Sequence, residues 1–549
     1  MVLKELLFAL ILFQIAFAYR KTLYSEQSPF ILTLKQKNFN REVHRKSNAF
    51  LVQFYASWCG HCFRFAPKFE QFAESIQRWH NVIRLAVVNC ADWANVDLCA
   101  YYDIPGFPTI KFFAPYTRKG DRGLRVHIPD RLVNALVNKT VDVLLNYTSH
   151  HQPPLQWPEL NAVDEISFTE LDERKPVLVV VESEKSRLGA KVILDFSEFT
   201  EYITIFRSVP KLNVTTKLPF LERIYKSGKH ELIEVNYTEG DNLRDQFVNA
   251  IRKKYLSNVW PLAESEAEMA TVTLSPRVTT ELSTVNEQKQ KVETVRFVDL
   301  YNALRYSLFQ EVTMKSHLNN SQISALHAFL TALHDYFPFA DANSRVFIEK
   351  LLAFVHDRSA RKSLSMKSVR NKIKTIENNE GARLPEFRPW KSCEGSAPTF
   401  RGYPCSLWLL FHTITVAEHK KHLLNNNDDE NEELKNRTRT DSFALFAIRG
   451  YVEYFFTCNH CRAHFVQMSA NLSQQLQRFQ DRSPVLWLWW AHNRVNRRLK
   501  GDETEDPMHP KIQFPPLNAC QKCYGTRNSW NEIEVLNFLS EHYDIKNIK

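Results

Sequence analysis

The residues best equipped for chemistry in this 549-residue chain are its ten cysteines, and most stand two residues apart: Cys59/Cys62, Cys458/Cys461 and Cys520/Cys523. Two thiols at that spacing can close into a disulfide and reopen, so each pair can carry two electrons. At the start of a helix the first thiol is activated. Backbone N–H groups and the helix dipole favour its thiolate, whose pKa is about 8.5 in a free cysteine. The second thiol then resolves a mixed disulfide formed at the first. His61, between Cys59 and Cys62, should raise that pair's reduction potential, because a polar or cationic neighbour stabilises the thiolate form. Two other uses compete: a structural staple, or half of a zinc site. The strand–Trp58-Cys59-Gly60-His61-Cys62–helix setting speaks against both for the first pair. Cys458/Cys461 and Cys520/Cys523 could together make a Cys₄ set, but they lie farther apart than the halves of a zinc ribbon. No metal is expected.

The elements that must position these pairs are legible as periodicities. An apolar run from Ala49 to Ala56 predicts a strand, and Phe63 to Trp79 a helix with Phe65, Phe69, Phe72 and Ile76 on one face. A second strand, Val82 to Val88, leads to Cys90 and Cys99, then to Ile104-Pro105-Gly106-Phe107-Pro108-Thr109 and a strand from Ile110 to Phe113. Such alternation predicts an α/β layer fold. Residues 155–258 repeat the rhythm without a cysteine: strand Pro176 to Glu182, helix Ala190 to Phe199, Val209-Pro210-Lys211-Leu212, strand Phe220 to Tyr225. Residues 259–292, rich in Glu, Ser and Thr, read as a linker that lets the two halves approach. From Arg296 the period is helical, through Phe297, Leu300, Leu304 and Leu308, then Val346, Ile348, Leu351, Leu352 and Val355. Further helices are expected over 404–424, 441–457, 461–479 and 484–500, with a polar insertion from Asn425 to Thr440.

Cys458-Asn459-His460-Cys461 follows an aromatic stretch (Tyr451, Tyr454, Phe455, Phe456) and precedes Arg462-Ala463-His464. The same half holds Arg401-Gly402-Tyr403-Pro404-Cys405, Trp408, His412 and the run Trp489-Trp490-Ala491-His492-Asn493-Arg494-Val495-Asn496. Singly, such aromatics and histidines are ordinary core. With Lys511 they offer the stacking surfaces, cations and donors that a flavin dinucleotide requires.

On these motifs, residues 30–145 resemble a redox-active thioredoxin domain of the protein disulfide isomerase group, and Phe107-Pro108 resembles its cis-proline loop. The region around Cys458/Cys461 resembles the flavin-dependent sulfhydryl oxidases of the Erv/ALR type. The full order resembles the quiescin sulfhydryl oxidase family. The fold class this implies is multidomain: two α/β thioredoxin-like domains (30–145 and 155–258) followed by an all-α half. That half comprises a helical region (293–384), an Erv/ALR-type helical bundle (385–500) and a C-terminal extension (501–549) with the third C-x-x-C.

By position, the resemblance implies FAD contacts from Arg401, Trp408, His412, His464, Trp489, Trp490, Ala491, His492, Asn493, Arg494, Val495, Asn496 and Lys511. His460 stands where the family often has an acid, and Phe514 where it often has a tryptophan; both are carried as flavin contacts. The resemblance makes Cys393/Cys405 a structural bridge and Cys520/Cys523 a disulfide dispensable for turnover. Cys90/Cys99 reads as a local structural disulfide. Gln53 departs from the family pattern, standing where a buried acid is usual, so water or another group must assist proton transfer at the first pair.

The implied activity is oxidation of thiol pairs in reduced proteins, with molecular oxygen reduced to hydrogen peroxide. Electrons would pass from Cys59/Cys62 to Cys458/Cys461 and on to FAD, which bridges two-electron thiol chemistry and oxygen. The rivals are a secreted disulfide isomerase and a chaperone or binding module, both without flavin.

Composition bounds these readings. Hydrophobic residues at 44% and charged residues at 24% suit a globular protein. Gly 13 and Pro 24 exclude collagenous and low-complexity classes. The charge of 71 − 61 = +10 is spread without a long basic run, so nucleic acid is not an expected partner. Lys4, the apolar Leu6 to Phe17 and Ala16-Phe17-Ala18 predict a secretory signal over residues 1–18. No later apolar run reaches the ~20 residues of a spanning helix, so stable membrane insertion is not expected. Sequons at Asn138, Asn146, Asn213, Asn236, Asn319, Asn436 and Asn471 agree with a glycoprotein of the ER/Golgi lumen or the cell exterior. It is expected to act as a monomer.

Overall fold

The computed structural model describes residues 22–25, 27–128, 132–164, 175–210, 217–235, 242–260, 292–428, 442–479, 483–526 and 529–549. The expected signal lies outside these residues, as do most of the linker and most of the polar insertion.

The first unit runs β1 (Ile31–Leu34), α1 (Gln36–Val43), β2 (Ala49–Tyr55), α2 (Gly60–Ser75), β3 (Ile83–Asn89), α3 (Val96–Tyr101), β4 (Thr109–Phe113), β5 (Leu124–Val126) and α4 (Val133–His150). Its sheet has the order β1-β3-β2-β4-β5. β2 is parallel to β3, with Leu51 opposite Leu85, and antiparallel to β4, with Leu51 opposite Phe112. β2 is buried along its whole length, which explains its unbroken apolar run: both faces of a central strand are covered. Phe65, Phe69 and Phe72 of α2 are buried. α2 begins at Gly60, one residue after Cys59, so the ladder delivers the first C-x-x-C to the end of the central strand. The Phe107–Pro108 peptide is cis.

The second unit contains β6 (Val177–Val181), α5 (Leu188–Asp195), β7 (Thr204–Ser208), β8 (Phe220–Ile224), β9 (His230–Ile233) and α6 (Leu243–Tyr255), with strand order β7-β6-β8-β9. At the end of its central strand, where the first unit carries cysteines, stands a buried ion pair: Glu182 and Arg207 meet at 2.7 Å. Glu182 also accepts the Gly189 N–H at 2.9 Å. Such a pair has a hydrogen-bonding role, since losing one partner would strand a buried charge. The units are joined where Trp79 donates to Asp195 at 2.8 Å.

The helical half comprises α7 (Phe297–Tyr306), β10 (His317–Asn319), α8 (Asn320–Tyr336), α9 (Ala342–His356), β11 (Ser363–Ser365), α10 (Met366–Asn379), α11 (Gly402–Asp428), α12 (Phe443–Tyr454), α13 (Asn459–Met468), α14 (Leu472–Leu476), α15 (Pro484–Leu499) and α16 (Glu532–His542). Two expectations need correction. The half is not wholly helical, because β10 and β11 form a short antiparallel pair with Leu318 opposite Leu364. The single helix expected over 461–479 is two, broken where Asn471 takes the left-handed conformation (φ 56°) that asparagine tolerates better than most residues. The C-terminal segment is stitched to the start of this half: Phe297 N–H donates to Lys549 O at 2.8 Å, and Lys549 N–H to Val295 O at 3.0 Å.

Candidate redox site

Cys59 precedes the first residue of α2, and Cys458 precedes the first residue of α13. Both therefore stand at the positive ends of helices, where a thiolate is favoured. The two halves bring them face to face. Cys59 Sγ lies 3.3 Å from Cys458 Sγ, with Cys59 1% and Cys458 0% exposed, and a disulfide joins Cys458 to Cys461. Phe107 N–H donates to Thr457 O at 2.8 Å, and Phe107 pairs with Cys458 as in a parallel ladder. The segment before Cys458 thus lies along the Phe107-Pro108 loop as an added strand, a mode of peptide recognition.

Around this contact the surfaces interlock. Trp58 stacks on Phe456 with ring centres 5.5 Å apart and donates to the Tyr306 hydroxyl at 2.6 Å. A Cβ on Gly106 would fall 2.1 Å from Asn459 Oδ1, so the approach requires glycine there. Arg462 donates to the same Asn459 Oδ1 at 2.6 Å. His61 and His460 rings meet at 5.1 Å, and Arg64 pairs with Asp502 at 3.0 Å.

Gln53, at the usual position of a buried acid, accepts from the Tyr24 hydroxyl at 2.6 Å. Burial raises the Tyr24 pKa well above its usual value, and the nearby Cys62 raises it further. A carboxyl does stand close by, but it comes from the other half. Glu311 is buried, and burial pushes its pKa up to about 8 against the lowering effect of hydrogen bonds from Thr457; Cys59 raises it too. Thr457 donates to it through its N–H at 2.8 Å and its hydroxyl at 2.7 Å. No motif marked Glu311 in the sequence. The one available signal was an acid within an apolar stretch, between Phe309 and Val312.

Beside Cys461 opens a 340 Å³ cavity. Of the expected flavin contacts, Arg401, Trp408, His460, His464, His492, Val495, Asn496 and Lys511 line it. Trp408 and His492 stack 4.2 Å apart, almost parallel. His412 lies behind them, its Nε2 3.2 Å from His492 Nδ1. Burial lowers the His412 pKa to about 3 and the His492 pKa well below its usual value. Burial also lowers Lys511. His412 Nδ1 and Arg401 Nε are buried without a hydrogen-bond partner among the described residues. Buried polar atoms are rarely left so. An apolar, aromatic cavity with neutral imidazoles and orphaned nitrogens beside it fits a flavin dinucleotide.

Trp489, Trp490, Ala491, Asn493, Arg494 and Phe514 do not line this cavity. The reason is helical geometry: on α15, positions 492, 495, 496 and 499 share one face, and a run of consecutive residues cannot. Trp489 and Asn493 instead donate to Phe514 O, while Asn493 Oδ1 accepts the Phe514 N–H at 2.8 Å. Arg494 lies over the Trp490 ring at 5.4 Å. The C-terminal segment adds a residue the sequence reading did not single out: Tyr543 stacks on His412 at 4.8 Å. Disulfides also join Cys90 to Cys99, Cys393 to Cys405 and Cys520 to Cys523. A larger groove of 1080 Å³ runs along the free edge of β1, but no cysteine lines it.

Three family models match: Thioredoxin over residues 30–123, Erv1 / Alr family over 405–515, and Flavin adenine dinucleotide (FAD)-dependent sulfhydryl oxidase over 290–396. The chain is 32% identical to human Sulfhydryl oxidase 1, over 97% of its own length and 68% of the relative's. The chain belongs to the quiescin sulfhydryl oxidase family. Mouse Sulfhydryl oxidase 2 is likewise 32% identical, over 96% of this chain and 74% of that one. A solved structure, the sulfhydryl oxidase fragment of human QSOX1, covers 47% of this chain and 98% of its own at 35% identity and a TM-score of 0.40. As a quiescin sulfhydryl oxidase, this chain is an FAD-dependent thiol oxidase that forms disulfides in protein thiols and has oxygen as acceptor. The flavin-free rivals fall, since neither an isomerase nor a binding module accounts for an FAD-dependent sulfhydryl oxidase region.

Proposed function

We propose that this oxidase works as a two-station relay in which Cys59/Cys62 collects electron pairs from client proteins and Cys458/Cys461 empties them beside the flavin cavity. The observation that carries it is the 3.3 Å separation of Cys59 Sγ and Cys458 Sγ. A client thiolate attacks Cys59 of the oxidised first pair, and Cys62 leaves. A second client thiol releases the client disulfide. The reduced Cys59 then attacks Cys458, and Cys461 leaves as a thiolate facing the cavity. FAD would supply there the acceptor that bridges two-electron thiol chemistry and oxygen, with hydrogen peroxide as the product. Arg401, Trp408, His460, His464, His492, Val495, Asn496 and Lys511, which line the cavity, would hold it, with His412 supporting from behind. Trp489, Asn493 and Phe514 act indirectly, by fixing the segment that carries Lys511.

The working unit is a monomer, because α7 and α8 cover the faces of α11 and α12 within one chain. It works in the secretory lumen or outside the cell, where disulfides such as Cys90–Cys99 and Cys393–Cys405 persist. Among the described residues no helix is long and apolar enough to cross a membrane. Purified protein is expected to show flavin absorption. Cys461→Ser is expected to abolish oxygen consumption with reduced protein as substrate while leaving exchange at Cys59/Cys62 intact. Colourless folded protein, or normal oxygen consumption by Cys461→Ser, would overturn the relay.

A further inference from the structure

We propose that Glu311 is the acid–base partner of the exchange between the two dithiols: it takes the proton of Cys59 as Cys59 attacks Cys458, and returns it to Cys458 when Cys62 resolves the mixed disulfide. This rests on the relay reading above.

The geometry comes first. Glu311 belongs to the helical half, just beyond α7, yet both its carboxylate oxygens are engaged by Thr457, the residue before Cys458. Thr457 O in turn accepts the Phe107 N–H of the first unit. The carboxyl therefore sits at the junction of the two halves, bonded to the residue before Cys458, whose Sγ lies 3.3 Å from Cys59 Sγ. Cys59 thus gains a proton acceptor when the Cys458–Cys461 disulfide is in front of it. Gln53, within the first unit, carries an amide that does not titrate, so it cannot serve as the acid or base.

The charged and titratable groups facing Glu311 leave one partner with which to exchange a proton. They are Tyr306 beside it on α7, Tyr403 from α11, Tyr451 from α12, Arg462 from α13 and Cys59 at the start of α2. Burial holds the three tyrosines well above their usual range. Burial lowers Arg462, but Glu311 raises it, and a guanidinium stays charged. Cys59 raises the proton affinity of Glu311, so ionising both side by side in the buried junction is disfavoured. Moving the proton from thiol to carboxylate creates the nucleophile without changing the net charge of the site. Ionising Cys59 alone would add a buried charge.

The steps balance. The Cys59 proton passes to Glu311, the Cys59–Cys458 bond forms, the Cys458–Cys461 bond breaks, and Cys461 leaves as a thiolate. Cys62 then loses its proton to solvent and attacks Cys59. The Cys59–Cys62 bond forms, the Cys59–Cys458 bond breaks, and the departing Cys458 thiolate takes the proton from Glu311. The electron pair has moved from the first dithiol to the second.

The test uses the full flavin-loaded chain, reduced denatured ribonuclease as electron donor, and anaerobic stopped-flow bleaching of the flavin from pH 6 to 9. Glu311→Gln is expected to slow the interdomain step about 10²-fold and to remove the inflection near pH 8 from its profile. Glu311→Asp should keep the inflection at a reduced rate. A Glu311→Gln rate within about twofold of the parent would overturn the proposal, and so would a slowed rate with the inflection intact, which marks a carboxyl that only holds Thr457. A second measurement keeps Glu311 in place. In Cys62→Ser/Cys461→Ser the Cys59–Cys458 disulfide is trapped, and difference infrared spectroscopy should show a protonated carboxyl at neutral pH that titrates on the alkaline side. Its absence from a trapped species overturns the role of Glu311. Failure of the disulfide to form overturns the relay and the proposal with it.

Discussion

At His412, burial holds the imidazole pKa down to about 3, and at His492 it holds it well below the usual value. Both rings are therefore neutral at physiological pH. That suits a cavity whose walls already carry Arg401 and Lys511, because two further cations there would repel them. The same depression makes stability depend on pH. A histidine that resists protonation when folded, but accepts a proton near 6.5 when unfolded, contributes its full stability above pH 6.5 and loses it as pH falls toward about 3. For His412 alone the loss at pH 5 is about 2 kcal/mol, by linkage from a folded pKa of about 3. Guanidinium unfolding of the full chain at pH 7.5 and pH 5, followed through tryptophan fluorescence, is expected to show that loss. His412→Gln should unfold with a flatter pH dependence. Equal pH slopes for parent and variant would mean that His412 titrates normally.

Among the elements, what the sequence made legible was whatever is decided locally. The Cys59 pair could be placed because a buried strand, a helix start and the C-x-x-C are neighbours in the chain, and β2 and α2 bear them out. The tryptophan- and histidine-rich run on α15 marked a helix that lines the cavity but not the face it presents, since a run of consecutive residues says nothing about orientation. The break between α13 and α14 depends on one left-handed asparagine, Asn471, within a pattern that reads as continuous helix. Glu311, Thr457 and Gly106 were illegible because each matters only once residues far apart in the chain have met, as Glu311 and Thr457 do across a separation of 146. Gly106 makes this testable. Its α-hydrogen faces Asn459 at the N-terminus of α13, and an added methyl overlaps that side chain. Gly106→Ala is therefore expected to hinder docking by about 1–3 kcal/mol of overpacking, slowing turnover of protein thiols about tenfold. Asn459→Ala placed on top should restore much of that rate by removing the atoms in conflict. If the double variant is as slow as Gly106→Ala, the damage lies inside the first unit and not at the junction.

For the molecule as a whole, the decisive fact is that the Cys59–Cys458 junction is closed. Cys59 is 1% exposed, and the Thr457-Cys458 segment occupies the groove along Phe107-Pro108. In the proposed relay a client protein uses that same groove, because its thiol must reach Cys59 where Cys458 now lies. Loading and unloading of the first dithiol therefore exclude one another, and each turnover requires the halves to part and meet again. The covalent connection keeps the second dithiol at an effective concentration far above that of a free partner, so parting need not be rare for the relay to be fast. On the proposed relay, oxidised enzyme in solution is expected to be a mixture of closed and open arrangements, and the species trapped by Cys62→Ser/Cys461→Ser to be closed throughout. Small-angle X-ray scattering is expected to give a smaller radius of gyration for the trapped species than for the oxidised parent, and reduction of the trap should restore the parental value. Identical scattering before and after reduction would mean that the halves do not separate, and that clients must reach Cys59 by another route.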